Sequence, residues 1–126
     1  MHHTKTNGDI AELRVAAKYI EKGCTVSRPL TDHAPYDLIV DNGSELLKVQ
    51  VKSRSIRNGC VSVQRYTSNK PYEEGDIDIF AVYCIDTGDI AELKWNDFET
   101  SDLNLRIEPT KNNQTKNIKF FEDYKI

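Results

Sequence analysis

Hydrophobic residues along the 126-residue chain recur first with a helical period and then with the alternation that is typical of strands. Between Thr6 and Gly23, polar residues able to cap a helix precede the periodic segment, and a glycine able to end the helix follows it. This pattern predicts a helix with a buried apolar stripe formed by Ile10, Leu13, Ala16, Ala17 and Ile20. The hexamer GDIAEL opens the helix and recurs at Gly88–Leu93, where we expect its context to place it in a strand.

The rest of the chain predicts a series of strands. The run Ile77–Ile85 is almost continuously apolar, as in a strand covered on both faces, and we expect it at the centre of the sheet. Shorter strands are expected at Cys24–Arg28, Tyr36–Asp41, Glu45–Ser53, Val61–Val63, Ile90–Trp95 and Leu103–Ile107. A polar turn is expected at Lys111–Lys116, and a short strand or helix within Ile118–Tyr124. No linker divides this series, so we expect one α/β domain over residues 1–126.

Two of these strands predict a β-hairpin, because Asn42-Gly43 between them is a strong turn signal. The hairpin loop must have an even number of residues, since only then do the apolar residues of both strands share one face: Leu38, Val40, Leu47, Val49 and Val51. A two-residue loop places Asp37 opposite Lys48, and a four-residue loop places it opposite Gln50. In either register Asp37, Gln50 and Lys52 lie on the same face of the sheet.

Charge is distributed unevenly along the chain, although the net charge is only −3. The segment Lys48–Lys70 contains six basic and no acidic residues, and the remainder carries a charge of −9. A local charge of +6 favours contact with a polyanion such as the nucleic-acid backbone, and the alternative is a solvated basic pair of strands. Asp41 is expected to stabilise the hairpin turn. Asp78 is expected to have a structural role, the alternative being a distant member of the site.

Composition excludes several classes of protein. Apolar residues make up 38% of the chain, enough for a folded core, and no apolar run approaches the length of a membrane-spanning helix. The N-terminus carries no hydrophobic stretch like that of a secretory signal. Cys24, Cys60 and Cys84 match the spacing of neither a disulfide framework nor a zinc site. We therefore expect a cytoplasmic protein with reduced cysteines and no membrane partner.

One motif resembles a known enzyme superfamily. Pro35-Tyr36-Asp37, twelve residues and then Gln50-Val51-Lys52 resembles the PD-(D/E)XK nucleases, and Glu12 is placed like the helical glutamate that often precedes that motif. The glutamine at position 50 and the segments YDLIVDNGSELLKVQVKSR, GDIDIFAVY and LRIEPTKNNQTKNIKFFEDY are similar to the group I intron-associated homing endonuclease family. Archaeal Holliday junction resolvases share the same core. The resemblance implies a restriction-endonuclease-like core, in which a mixed β-sheet is flanked by helices.

The resemblance also implies a chemistry, the hydrolysis of DNA phosphodiester bonds with bound Mg²⁺ or Mn²⁺. The implied metal ligands are the side chains of Asp37, Gln50 and Glu12 and the backbone carbonyl of Val51. Lys52 would orient the attacking water or stabilise the transition state. The basic residues expected to follow the DNA backbone are Lys48, Arg54, Arg57, Arg65 and Lys70.

Gln50 departs from the carboxylate usual in the motif, and an amide is a weaker ligand for a hard dication. If Glu12 points inward it restores the missing charge. If it points outward, the protein is expected to be a DNA-binding module that keeps the nuclease fold with little or no turnover. A third hypothesis is an interaction domain without a role on nucleic acid. An endonuclease that cuts both strands of a duplex needs two sites, which favours a homodimer or a larger even-numbered assembly.

Overall fold

A computed structural model of the chain describes residues 3–66, 70–108 and 118–126. The helix α1 (His3–Glu21) comes first and is followed by Gly23 at φ 92°, as its sequence predicts. The strands are β1 (Thr25–Ser27), β2 (Leu38–Asp41), β3 (Leu46–Arg54), β4 (Cys60–Gln64), β5 (Ile79–Cys84), β6 (Ile90–Lys94), β7 (Asp102–Arg106) and β8 (Lys119–Phe120). Short 3₁₀ turns cover Trp95–Asp97 and Phe121–Tyr124. The turn expected at Lys111–Lys116 lies outside the described residues.

Five of the strands form a mixed sheet with the order β1-β2-β3-β5-β6. β3 pairs antiparallel with β2 and parallel with β5, while β5 pairs antiparallel with β6. The central strand is therefore β3 and not, as expected, the apolar strand β5. The second copy of GDIAEL leads into β6, which confirms that the same hexamer forms a helix in one context and a strand in another.

The remaining strands form a second sheet, with the order β4-β7-β8, on the face of the large sheet that α1 does not cover. All six residues of β5 are buried because they alternate between two hydrophobic clusters. Ile79 and Ala81 pack in the cluster that includes α1, and Phe80 and Val82 pack in the cluster that includes β4 and β7. The α/β class and mixed sheet are confirmed. Within residues 3–66, 70–108 and 118–126, one α-helix covers one face of the large sheet and the small sheet covers the other.

The orientation of α1 also differs from its prediction. The residues buried against the sheet are Ala11, Val15 and Tyr19, and of the predicted stripe only Ala16 packs partly against that cluster. The other four members of the predicted stripe, here named the outer stripe, are exposed: Ile10, Leu13, Ala17 and Ile20. α1 thus has two apolar faces, and the sheet contacts the one on which Ala11 and Val15 are fully buried and Tyr19 reaches Glu92 of β6. No helix in the described part of the chain has the length and apolarity needed to cross a bilayer.

We predict that Tyr19→Phe lowers the free energy of unfolding by about 1–2 kcal/mol, because its partly buried hydroxyl donates a 2.7 Å hydrogen bond to the Glu92 carboxylate. Urea denaturation measures the change. The control is Tyr66→Phe, which removes an exposed 3.3 Å hydrogen bond to Asp102 and should leave the urea midpoint unchanged. Equal effects of the two substitutions would contradict the observed orientation of α1.

Candidate active site

The β2–β3 hairpin brings the motif residues together. Leu38 pairs with Val49 and Asp41 with Leu46, so residues 42–45 form a four-residue loop. The predicted even loop is confirmed, and of the two registers left open the structure has the one that places Asp37 across from Gln50. The Asp41 carboxylate accepts a 2.9 Å hydrogen bond from the Gly43 N–H, which confirms its role in the turn.

Asp37 lies where β2 separates from β3. Its backbone N–H donates to the Val49 carbonyl at 2.9 Å, and its own carboxylate oxygen Oδ2 accepts a 2.9 Å hydrogen bond from the Val51 N–H. The side chain thus takes the place that a backbone carbonyl would occupy if the ladder continued. Because the N–H and C=O of one strand residue point to the same side, the Val51 carbonyl is also directed toward Asp37. The separation of the strands therefore sets two oxygen ligands side by side.

A cleft of about 580 Å³ opens on this polar face of the sheet. Asp37 and Gln50 line it together with two loops that precede β2 and β5. The loop residues in the cleft include Asp32, His33, Lys70, Tyr72 and Asp76. Of these, Lys70 is one of the residues that the sequence predicts to bind DNA, and it lies in the same cleft as Asp37 and Gln50.

Lys52 is held in a half-buried position on the same face. Its ammonium lies 5.2 Å from the centre of the Tyr72 ring, and Tyr72 in turn contacts Phe80 at a ring separation of 6.0 Å. Burial, reinforced by the nearby charge of Arg54, lowers the pKa of Lys52 to about 8, and the Asp37 carboxylate opposes this shift. The amine is thus less costly to deprotonate than a solvated lysine.

Glu12 turns toward the site from the side of α1. Its carboxylate forms a 2.7 Å salt bridge with Arg28, which follows β1. Burial is the largest cause raising the pKa of Glu12; Arg28 lowers it, and the proximity of Asp37 raises it further. The Glu12 carboxylate is therefore close enough to Asp37 for the two charges to interact. Arg28 was not identified from the sequence, since no motif signals that a residue after β1 contacts α1.

The donors in this region are all oxygen atoms, which fits a hard dication such as Mg²⁺ or Mn²⁺. Asp37 and Glu12 supply carboxylates, Gln50 an amide and Val51 a carbonyl. Burial also raises the pKa of Asp37, ahead of the opposing effects of the Val51 N–H and Lys52, so a bound cation would relieve an unfavourable environment for its charge. Among the residues that the structure describes, no group of three or more Asp, Glu, His or Cys side chains could hold a metal ion. A metal ion bound here would therefore need the neutral oxygens of Gln50 and Val51 as additional ligands.

Several basic residues of Lys48–Lys70 have contacts within the protein. Arg54 donates hydrogen bonds to the carbonyls of Ser62 and Ser53 and to the Gln64 side chain, and so ties β3 to β4. Arg65 lies 4.4 Å from the Trp95 ring and 5.3 Å from the Phe98 ring. Through these contacts the guanidinium groups of Arg54 and Arg65 stabilise the fold, in addition to the DNA binding expected of them.

Lys48 and Arg57 differ in their surroundings: Lys48 forms hydrogen bonds within the protein, and Arg57 is exposed. The Lys48 ammonium donates to the Gly75 carbonyl, and the Lys48 backbone N–H donates to the Asp78 carboxylate at 2.9 Å. The second bond confirms the structural role expected of Asp78. Arg57 is exposed and lines a separate cleft of about 360 Å³ between α1 and β4, together with Arg54.

Comparisons with known proteins agree with this geometry. The family profile described as PD-(D/E)XK endonuclease matches residues 2–126. Among solved structures, the bacterial homing endonuclease I-Ssp6803I superposes with a TM-score of 0.77 at 26% sequence identity, over 98% of this chain and 89% of that chain. No curated protein matches the chain. Because the family profile spans almost its whole length, this chain belongs to the PD-(D/E)XK endonuclease family.

Proposed function

We propose that this chain is a metal-dependent DNA endonuclease that hydrolyses phosphodiester bonds in the cleft lined by Asp37 and Gln50. The observation that carries the proposal is the convergence of the Asp37 carboxylate, the Gln50 amide and the Lys52 amine on one face at the end of a β-ladder. Membership of the PD-(D/E)XK endonuclease family supports a DNA substrate and a divalent cation. Cleavage of supercoiled plasmid in the presence and absence of Mg²⁺ tests the activity.

The cation would be held by Asp37, Gln50, the Val51 carbonyl and Glu12, and we propose Mg²⁺ or Mn²⁺. When bound, it supplies positive charge to the scissile phosphate and lowers the pKa of the attacking water. The Val51 N–H fixes the Asp37 carboxylate through Oδ2, so its orientation is set before substrate arrives. Lys52, whose pKa is lowered to about 8, donates to the phosphate or orients the water through Nζ and exchanges a proton readily near neutral pH.

A second function is favoured by one observation, the neutral ligand at position 50. Without a third acidic ligand among the described residues, the site has a weaker attraction for a dication than one with three carboxylates. A DNA-binding module that keeps the nuclease fold with little turnover would have the same structure. The electrostatic interaction of Glu12 with Asp37 supports the enzyme over the module, because it indicates a second carboxylate near the site.

The type of DNA target and the assembly are also proposals. The neighbour I-Ssp6803I is described as a homing endonuclease, which favours cleavage of a linear duplex over cleavage of a branched junction. Cutting both strands of a duplex needs two copies of the site, and we propose a homodimer or a larger even-numbered assembly for this reason.

We predict that Asp37→Asn lowers plasmid cleavage about 10³-fold or more, because the site loses its anchoring carboxylate. Gel analysis of supercoiled, nicked and linear plasmid with Mg²⁺ measures the loss. The matched control is Asp41→Asn on the same strand, where the amide oxygen still accepts the hydrogen bond of the turn and cleavage should stay within about twofold of wild type. Equal cleavage by wild type and Asp37→Asn would exclude this site. A four-way junction tested beside the duplex, and cut in its place, would identify resolvase-type action.

A second prediction separates ion binding from catalysis. Saturating Mn²⁺ should raise the melting temperature of the DNA-free wild type by a few degrees, because an ion bound only to the folded state stabilises that state by mass action. The shift should be lost in Asp37→Asn but kept in Lys52→Met, which removes the amine without removing a ligand. Differential scanning calorimetry measures the shift. A Mn²⁺-induced rise that persists in Asp37→Asn would place the ion elsewhere.

The third prediction concerns position 50. Gln50→Glu adds a negative charge to the ligand set, so Mn²⁺ should bind about tenfold or more tightly, as isothermal titration calorimetry can measure. If the chain is an active enzyme, wild type already cuts plasmid, and Gln50→Glu lowers the metal concentration needed for cleavage. Cleavage seen only in Gln50→Glu, with salt-sensitive DNA binding in both proteins, would instead establish the binding module.

A further inference from the structure

The outer stripe of α1 is an apolar surface on the side of the helix away from the sheet. Leu13 is 63% exposed, Ile20 58% and Ile10 39%, and Ala17 lies between them. Leu13 and the buried Val15 are separated by about 200° around the helix axis, so the two faces of α1 are opposed. α1 packs on β1, β3 and β5 through its other face. Half of the six exposed large hydrophobic residues in the described part of the chain thus lie in this one stripe.

The spacing of the outer stripe is that of a helix-pairing surface. Positions 10, 13, 17 and 20 repeat with steps of three, four and three, which is the pattern of alternating a and d positions in a coiled coil. The pattern is self-complementary, since Ile and Leu on one helix fit beside the same residues of an identical helix. Ala17 near the middle allows the two backbones to approach closely.

We propose that the outer stripe is a self-association surface on which α1 of a second copy of this chain packs in parallel orientation. The flanking charges favour this occupant. With Ile10 at an a position, Asp9 falls at g and Arg14 at the following e position. A parallel pair places Asp9 of each copy beside Arg14 of the other, giving two opposite-charge contacts by symmetry. An antiparallel pair centred on the stripe would bring the two Arg14 side chains together.

The same arrangement leaves the proposed active site accessible. α1 covers one face of the large sheet, whereas Gln50 and Lys52 lie on the other face. Pairing through the outer stripe therefore buries apolar surface without closing either cleft. Pairing through the outer stripe would form the even-numbered assembly, and in that respect the inference rests on the proposed function. Self-association through this surface can nevertheless be measured without DNA or metal. A single helix stripe lies at the low end of specific interface sizes, so we expect micromolar self-association.

The experiment is sedimentation velocity of the full chain without DNA or metal, over about 1 to about 100 µM. Wild type is expected to pass from monomer to dimer or a larger even assembly, and Leu13→Glu to weaken this association about tenfold or more. Leu46→Glu is the matched control, because Leu46 is 67% exposed but lies at the start of β3 outside the stripe. It should associate like wild type, and circular dichroism should show all three proteins folded.

Charge exchange tests the partner and its orientation. Asp9→Arg and Arg14→Asp should each weaken association, and the double substitution should restore it, as a parallel α1 pair requires. A monomeric wild type, equal association of wild type and Leu13→Glu, or no recovery in the double variant would overturn the proposal. So would a monomeric wild type that binds phosphatidylserine-containing vesicles, which would assign the stripe to a lipid surface. Intact association with no plasmid cleavage would contradict only the proposed function.

Discussion

The hydrogen bond from the Val51 N–H to the Asp37 carboxylate is the contact on which the site depends. At this point β2 leaves β3, and a side chain replaces the backbone acceptor that the ladder would otherwise supply. β3 meanwhile continues beside β5, where Val51 pairs with Ala81, so its position is fixed by the buried strand. β2 can therefore separate from β3 and leave a polar cleft, while the pairing of β3 with β5 keeps the sheet intact.

The electrostatics of the cleft follow from partial burial. Burial raises the pKa of the Asp37 and Glu12 carboxylates and lowers that of the Lys52 amine, so each of the three groups is less stable in its charged form than it would be in water. Such a site costs stability in the free protein. A dication held between the carboxylates would offset that cost. The binding of a cation is thus a physical reason for this fold to keep partly buried charged groups that add nothing to its hydrophobic core.

Much of the site could be predicted from the sequence, because alternation and loop parity together restrict the hairpin register. These two constraints are enough to place Asp37, Gln50 and Lys52 on one face of the sheet. The face of α1 could not be chosen in this way, since Leu13 and Val15 belong to two apolar stripes that both repeat at helical spacing. The second sheet was also missed, because β4, β7 and β8 are short and pair across long sequence separations. Arg28 contacts Glu12 only through tertiary packing, for which the sequence has no local signal.

The most direct test of the account is to locate a bound Mn²⁺ by paramagnetic broadening of backbone amide resonances in the DNA-free protein. The account predicts that substoichiometric Mn²⁺ broadens the amides of Asp37 and Val51 first, and that Asp37→Asn abolishes this broadening. A separate cleft is lined by the carboxylates of Glu45, Glu74 and Asp97. Broadening centred there, or no site-specific broadening at all, would contradict the assignment of the metal to the end of the β2–β3 ladder.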